Sequence, residues 1–434
     1  MKIEIKIEKI VYPGRRLGLV EGKVVFTDGG LPGETVEVEV FKDRPSYAEA
    51  RTVRIVEPSP ARVAPRCGHY LACSPYQDMD YGLETSIKRG QVAEVLSRQL
   101  KRPFDALELT PSPEIWGYRN KIGLRVLRQD GQARFVYHEP GEQASFVPVE
   151  RCYLVPDRVN DLLAALLGAV NAVPLRTVDG IEIRTSRWSG ESLVLCDLAS
   201  EAEKEAVAGA WRGFRKEFGL AGAVASIRDG KRVRTERLFG RDFIEERAGG
   251  LVFRVGARSF FQTNVPILER VFEDAAAAAG LAGEEIVADL YCGLGTFGLF
   301  LARRCREVFG VEPEAGNVAF LKKNLELNGI GNFAVCEGTA EEWLPEILER
   351  APAVVMLDPP RRGVDPEIVR RLVDDPVGRL LYLSCNPTTL ARDLKGLGAA
   401  YDIAAVRVYD FFPHTPHIET LAVLDRRNPD IKCG

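Results

Sequence analysis

At 434 residues the chain is too long for one comfortable core, so two or three domains are expected. Its composition, 46% hydrophobic and 28% charged, is that of a globular protein; no apolar run is long enough to span a bilayer, and the alternating start MKIEIKIEKI excludes a signal peptide, so a cytoplasmic address with no membrane partner is expected. A net charge of −4 excludes wholesale coating of nucleic acid but leaves room for local basic patches, and nine cysteines without a secretory signal are expected to stay reduced.

Residues 1–57 alternate apolar and polar side chains with period two, and the run from Val24 to Val40 predicts a hairpin-like pair around Asp28–Gly33. Short strands at this spacing predict a small closed β-barrel of the oligonucleotide-binding kind. The Pro-rich EPSPARVAP at 57–65 predicts a linker. Residues 58–255 mix helices and strands, which predicts a central α+β domain. There Leu83, Ile87, Val95, Leu96 and Leu100 recur at helical spacing, Asp157 begins a second helix, and a strand pair turns at Ser189–Gly190. Arg119–Lys121 with Arg125 and Arg128 form one basic patch. Arg228, Lys231, Arg232, Arg234, Arg237 and Arg241 form another, and each taken alone reads as solvated surface. Residues 256–434 alternate helices with apolar, β-branched strands, which predicts a doubly wound, mainly parallel sheet with ligands at the carboxyl ends of its strands. The fold class is therefore multidomain α/β.

Four strand-end segments carry chemistry. In DLYCGLGTFG, Asp289 precedes a turn built on Gly293 and Gly295, where backbone can approach a ligand and a helix offers free N–H groups. Glu312 ends the next strand, where a carboxylate can accept both ribose hydroxyls; together these favour S-adenosylmethionine over a nicotinamide cofactor. In LDPPRRG the prolines fix Asp358 at the fourth strand's end, and Arg361 follows where amino-group methyltransferases place a base-stacking aromatic residue. In SCNPTTLARD, Cys385 projects from a polar strand end before a helix N-terminus, a setting that stabilises a thiolate. Cysteines 196, 292, 305 and 336 read as small core residues. Glu419 sits among apolar residues at the start of the last strand, where a general-base role explains a carboxylate, whereas His414 and His417 read as structural.

These residues suit methylation of a poorly nucleophilic carbon such as uracil C5. A thiolate adding to C6 turns C5 into a nucleophile, and a base must then remove the C5 proton. DLYCGLGTFGL, VEP, LDPPRRG, SCNPTTLARDL and FPHTPHIETLAVL resemble, in order and spacing, the RNA 5-methyluridine methyltransferases that modify tRNA and 23S rRNA. The resemblance covers essentially the whole chain. It implies a TRAM barrel at 1–57, a central domain at 58–255 and a Rossmann-like class I methyltransferase domain at 256–434. It further implies Cys385 as nucleophile, Glu419 as base, and Gln262, Tyr291, Glu312 and Asp358 as cofactor contacts, with Phe260 near a flipped base. Thr296 and Thr339 stand where family members often have Asn and Asp.

Ribosomal-RNA-type members hold a [4Fe–4S] cluster on four cysteines. Cys67, Cys73 and Cys152 match three of those ligands here, and Tyr76 occupies the remaining position, which leaves the cluster open. The expected protein is a monomer that binds single-stranded RNA through its barrel, with ribosomal RNA preferred over tRNA. Two alternatives remain. A cytosine-C5 RNA methyltransferase would carry a cysteine in the fourth-strand turn, where LDPPRRG has none, and a non-catalytic RNA-binding protein would not need the Cys385–Glu419 pair.

Overall fold

A computed structural model describes residues 2–139, 145–173, 175–229 and 232–428. Five N-terminal strands, Lys2–Val11, Arg15–Val20, Lys23–Thr27, Thr35–Asp43 and Tyr47–Glu57, close into a barrel in the order first, second, third, fifth, fourth. Their period-two pattern turns Ile5, Ile7, Val25, Val36, Val38, Ala48 and Ala50 into its core. The hairpin expected around Asp28–Gly33 does not form: Lys23–Thr27 pairs instead, in parallel, with Tyr47–Glu57. Glu34 accounts for the difference. Its fully buried carboxylate accepts from the Leu31 and Ser59 backbone N–H groups at 2.7 and 2.8 Å and pairs with Arg62 at 2.6 Å. That cluster draws the connection across the barrel end and pins part of the expected linker.

The central sheet has seven strands, in the order Arg232–Gly240, Leu220–Asp229, Ser192–Leu198, Val178–Thr185, Lys121–Gln129, Gln132–His138 and Phe146–Pro148. The strand pair turning at Ser189–Gly190 is present, and helix Asp157–Ala172 buries Leu162 and Leu166 with Ile181, Ile183 and Trp211.

The C-terminal sheet runs Phe333–Glu337, Glu307–Glu312, Ile286–Leu290, Val354–Leu357, Arg379–Ser384, Glu419–Arg426, Tyr401–Tyr409 and Glu108–Thr110. The first five strands are parallel and Glu419–Arg426 is antiparallel to its neighbours. Two elements from earlier in the chain complete this unit. Strand Glu108–Thr110 adds to its edge, and helix Tyr81–Leu100, capped by Asp80 accepting from Leu83 N–H at 2.9 Å, packs against helix Pro387–Leu397. Among the described residues no helix is long and apolar enough to cross a membrane.

Candidate functional site

The parallel strands deliver their chemical residues to one edge. The turn after Ile286–Leu290 holds Tyr291, Gly293 and Gly295 at φ of 68°, 57° and 82° before helix Thr296–Ala302. A Cβ at Gly295 would lie 2.1 Å from Leu299 Cδ1, whereas one at Gly293 would meet nothing within 4 Å. Glycine is thus required at Gly295 by packing, and open space lies over Gly293. Two carboxylates hold the turn. Asp289 Oδ2 accepts from Gly298 N–H at 2.8 Å, and Glu312 accepts from Gly293 N–H at 3.0 Å while its other oxygen takes Glu314 N–H and Asn317 Nδ2. Asp289 Oδ1 is buried without a partner, and burial pushes its carboxyl group up to about 8. Open space over the turn, an orphaned carboxyl oxygen and a strand-end acid fit an adenosyl cofactor bearing a positive sulfonium.

Asp358, Cys385 and Glu419 follow or begin the three adjacent strands. Burial pushes Asp358 up to about 7 and Glu419 well above the carboxylate range, Asp358 adding to the effect on Glu419. Burial and then Glu419 push the Cys385 thiol up to about 12, with Arg361 opposing. The helix after Cys385 does not relieve this as the sequence suggested. Asn386 Oδ1 accepts from Thr388 N–H at 3.1 Å and Ser384 Oγ from Asn386 N–H at 3.2 Å, so those N–H groups are occupied. Arg361 is the cation whose charge acts on both Cys385 and Glu419.

Other expected residues fall less centrally. Gln262 is buried and its backbone carbonyl accepts from Asn120 Nδ2 at 3.1 Å, but no hydrogen bond among the described residues ties its side chain to the glycine turn. Phe260, beside it, is 66% exposed, an unusual setting for a bare ring and one open to a base. Thr296 opens its helix without a side-chain cap, whereas Thr339 caps helix Ala340–Glu349 through a capping box with Glu342. His417 is lowered to about 4 by burial and by Arg361, and His414 stacks on Trp116 at 3.8 Å. Burial raises the thiols of Cys196, Cys292, Cys305 and Cys336, as core cysteines require.

Several members of the basic patches are tied to neighbours. Lys121 pairs with Glu182 at 2.8 Å, Arg128 donates to the Leu175 and Val178 carbonyls, Arg234 pairs with Glu201 and Glu236, and Arg241 with Glu191. Lys231 lies outside the described residues, as does the side chain of Arg232.

Cys67, Cys73 and Cys152 gather around His69. A hydrogen bond with Cys73 brings Cys67 down to about 4, helped by His69 and by Gln77 Nε2 donating at 3.3 Å. Burial opposes a charged His69, but hydrogen bonds with Cys152 and Cys67 outweigh it and raise the ring to about 9. Tyr76 is fully buried and hydrogen-bonded to Gln91 Nε2 at 3.0 Å. Among the described residues no group of three or more His, Cys, Asp or Glu side chains is disposed to hold a metal ion. Three thiols gather here where the resemblance implies four, and they form a hydrogen-bonded polar cluster with His69.

Tyr12 and Arg361 are the residues that sequence reasoning passed over. Arg361 was visible in LDPPRRG only as a departure from another pattern, and no sequence signal attaches Tyr12, in the barrel, to this site.

The tRNA (uracil-5-)-methyltransferase family matches residues 91–427, and the TRAM domain matches residues 2–53. The chain is 30% identical to an uncharacterized RNA methyltransferase of Caldanaerobacter subterraneus, with 98% of each chain covered. It is 32% identical to another from Synechocystis, covering 98% of this chain and 96% of that one. The crystal structure of the Pyrococcus abyssi tRNA (uracil-54, C5)-methyltransferase in complex with S-adenosyl-L-homocysteine superimposes with a TM-score of 0.77 at 25% identity, covering 97% of this chain and 99% of that one. The chain belongs to the tRNA (uracil-5-)-methyltransferase family and is an S-adenosylmethionine-dependent enzyme that methylates C5 of uridine in RNA.

Proposed function

We propose that the enzyme modifies a uridine of tRNA, with Cys385 as nucleophile and Glu419 as base. The observation that carries the catalytic assignment is the convergence of Cys385, Glu419 and Asp358 at one sheet edge, next to the glycine turn and under the charge of Arg361. The expectation of ribosomal RNA rested on the barrel and the three cysteines. The Pyrococcus tRNA enzyme aligns over 97% of the chain, so its match extends into the barrel, and only three of the four cluster cysteines are present. The likeness to a tRNA enzyme over the whole chain, barrel included, supports tRNA over ribosomal RNA.

S-adenosylmethionine supplies an electrophilic methyl group; Tyr291, Glu312, Asp358 and the Gly293–Thr296 turn would hold it, with Gln262 on the neighbouring segment. The acidic surroundings suit a cation, since Asp358 and Glu312 both act electrostatically on Asp289. Cys385, once deprotonated, forms an Sγ–C6 bond and makes C5 nucleophilic. When C5 carries both methyl and hydrogen, Glu419 takes the proton, the C5–C6 double bond returns and Sγ leaves. Burial and the Arg361 charge keep the His417 ring neutral, so it adds no second cation beside Arg361. The barrel offers RNA an exposed Phe41 and a ring at Phe26 covered by Arg15 at 4.1 Å.

The test uses Glu419→Gln with S-adenosylmethionine and unmodified transcripts carrying ordinary uridine. Without the base the methylated adduct persists, so a protein–RNA band stable to denaturation is expected with tRNA and not with 23S ribosomal RNA fragments. The opposite pattern would return the substrate to ribosomal RNA, and a band with neither would remove Glu419 from the role of base.

A further inference from the structure

Tyr12 lies just beyond the first barrel strand, far in sequence from every other residue of the site. The barrel is fixed there from two directions. Gln91 Nε2 donates to the Ile10 carbonyl at 2.9 Å, and Gly14 sits so close to the strand-leading loop that an added Cβ would be 3.0 Å from Pro416 Cβ. The Tyr12 ring packs against the core of the C-terminal unit, in the same cluster as Tyr291. Its hydroxyl is buried beside the Arg361 guanidinium, which can only donate to the phenol oxygen, so the O–H itself has no acceptor among the described residues. The charged groups acting on that hydroxyl are Arg361, Cys385 and Glu419. Burial raises the phenol above its ordinary range, so it stays protonated and able to donate.

A buried donor with no partner is unfavourable unless a ligand or water completes it. Here the unpaired O–H belongs to a barrel residue yet lies within electrostatic reach of Cys385 and Glu419, the two groups assigned to the reacting carbons, with Arg361 beside it. We propose that Tyr12 is a substrate-contacting residue of the methyltransferase site, its O–H donating to the uracil carbonyl oxygen that gains charge when Cys385 adds to C6. The inference rests on the roles given above to Cys385 and Glu419. In that step the thiol has released its proton to solvent and the Sγ–C6 bond forms. The C5–C6 π pair moves into the C4–C5 bond, and the C4 carbonyl pair moves onto O4. Tyr12 keeps its proton; the hydrogen bond to O4 strengthens as charge builds, and O4 returns its pair when C5 takes the methyl group. The barrel then supplies a donor to the chemistry as well as a surface for RNA.

The experiment measures single-turnover formation of the covalent adduct with 5-fluorouridine-substituted tRNA transcript for wild type, Tyr12→Phe and Cys385→Ala, alongside RNA affinity and melting temperature. Phenylalanine preserves the packing and removes only the donor. Adduct formation about 100-fold slower, with RNA affinity within about twofold and an unchanged melting temperature, is the expected result. A Tyr12→Phe rate equal to wild type overturns the inference while leaving the Cys385 mechanism intact. Loss of RNA affinity in proportion to rate overturns it in favour of a docking role. A wild-type enzyme that forms no adduct removes the mechanism, and the inference with it.

Discussion

Replacing Cys385 with alanine is expected to slow methyl transfer on the order of 10⁴-fold or more and to remove the denaturation-resistant adduct with 5-fluorouridine RNA. Fluorine at C5 cannot leave as a proton does, so any enzyme that adds a thiolate to C6 should be caught at that stage. The pH dependence of trapping follows from the surroundings of the thiol. Burial, Glu419 and Asp358 hold Cys385 at about 12 in the unliganded protein. At pH 7 the thiol is then strongly favoured over the thiolate. Because the thiolate is the charged, reacting form, its fraction grows tenfold for each pH unit below that value. The wild-type adduct rate should therefore climb steeply between pH 6.5 and 8.5, as measured by quenched single-turnover gels. A flat profile would mean that RNA and cofactor lower the Cys385 thiol before addition. An adduct persisting in Cys385→Ala would end its candidacy as nucleophile. Cys196, Cys292, Cys305 and Cys336 offer no ready substitute, since all four are buried and raised.

The C-terminal unit was readable because strand-end residues in a parallel sheet announce themselves locally. Asp289, Glu312, Asp358 and Cys385 each follow an apolar run, and the sheet brings those run ends to one edge. Contacts made across the chain left no such mark. Strand Glu108–Thr110 has three residues, too few for a period to register, and its partner lies some three hundred residues later. The expected hairpin around Asp28–Gly33 had the right turn residues but was overruled by Glu34 and Arg62, an ion pair invisible to periodicity. Tyr12 belongs to the same class: its position in a barrel turn says nothing about Arg361. The thiolate expected at Cys385 failed for a different reason. A helix N-terminus stabilises charge only through free N–H groups; here Pro387 has none, Asn386 takes that of Thr388, and burial with the charge of Glu419 raises the thiol.

Lys88→Met should destabilise the C-terminal unit by about 3–5 kcal/mol, a large share of the ~5–15 kcal/mol that holds a typical domain folded. Lys88 is fully buried and pairs at 2.7 Å with both Glu84 and Asp410, while donating to the Phe412 carbonyl at 3.0 Å. Burial works against its charge, but Asp410 and Glu84 outweigh burial and hold the ammonium above its ordinary range. Methionine matches the length of the lysine stem and removes the cation, leaving two carboxylates facing each other out of reach of water. Glu84 also accepts from His414 N–H at 2.7 Å, so the same cluster fixes the loop that leads into Glu419. Destabilisation and loss of activity should therefore appear together. Denaturant titration followed by a probe in the C-terminal unit measures the first, and adduct formation at low temperature, where the variant is still folded, measures the second. Adding Glu84→Gln and Asp410→Asn to Lys88→Met removes the unpaired charges and should restore much of the stability. A single variant within about 1 kcal/mol of wild type would show that the two carboxyl groups are already protonated and that the network is not an ion pair.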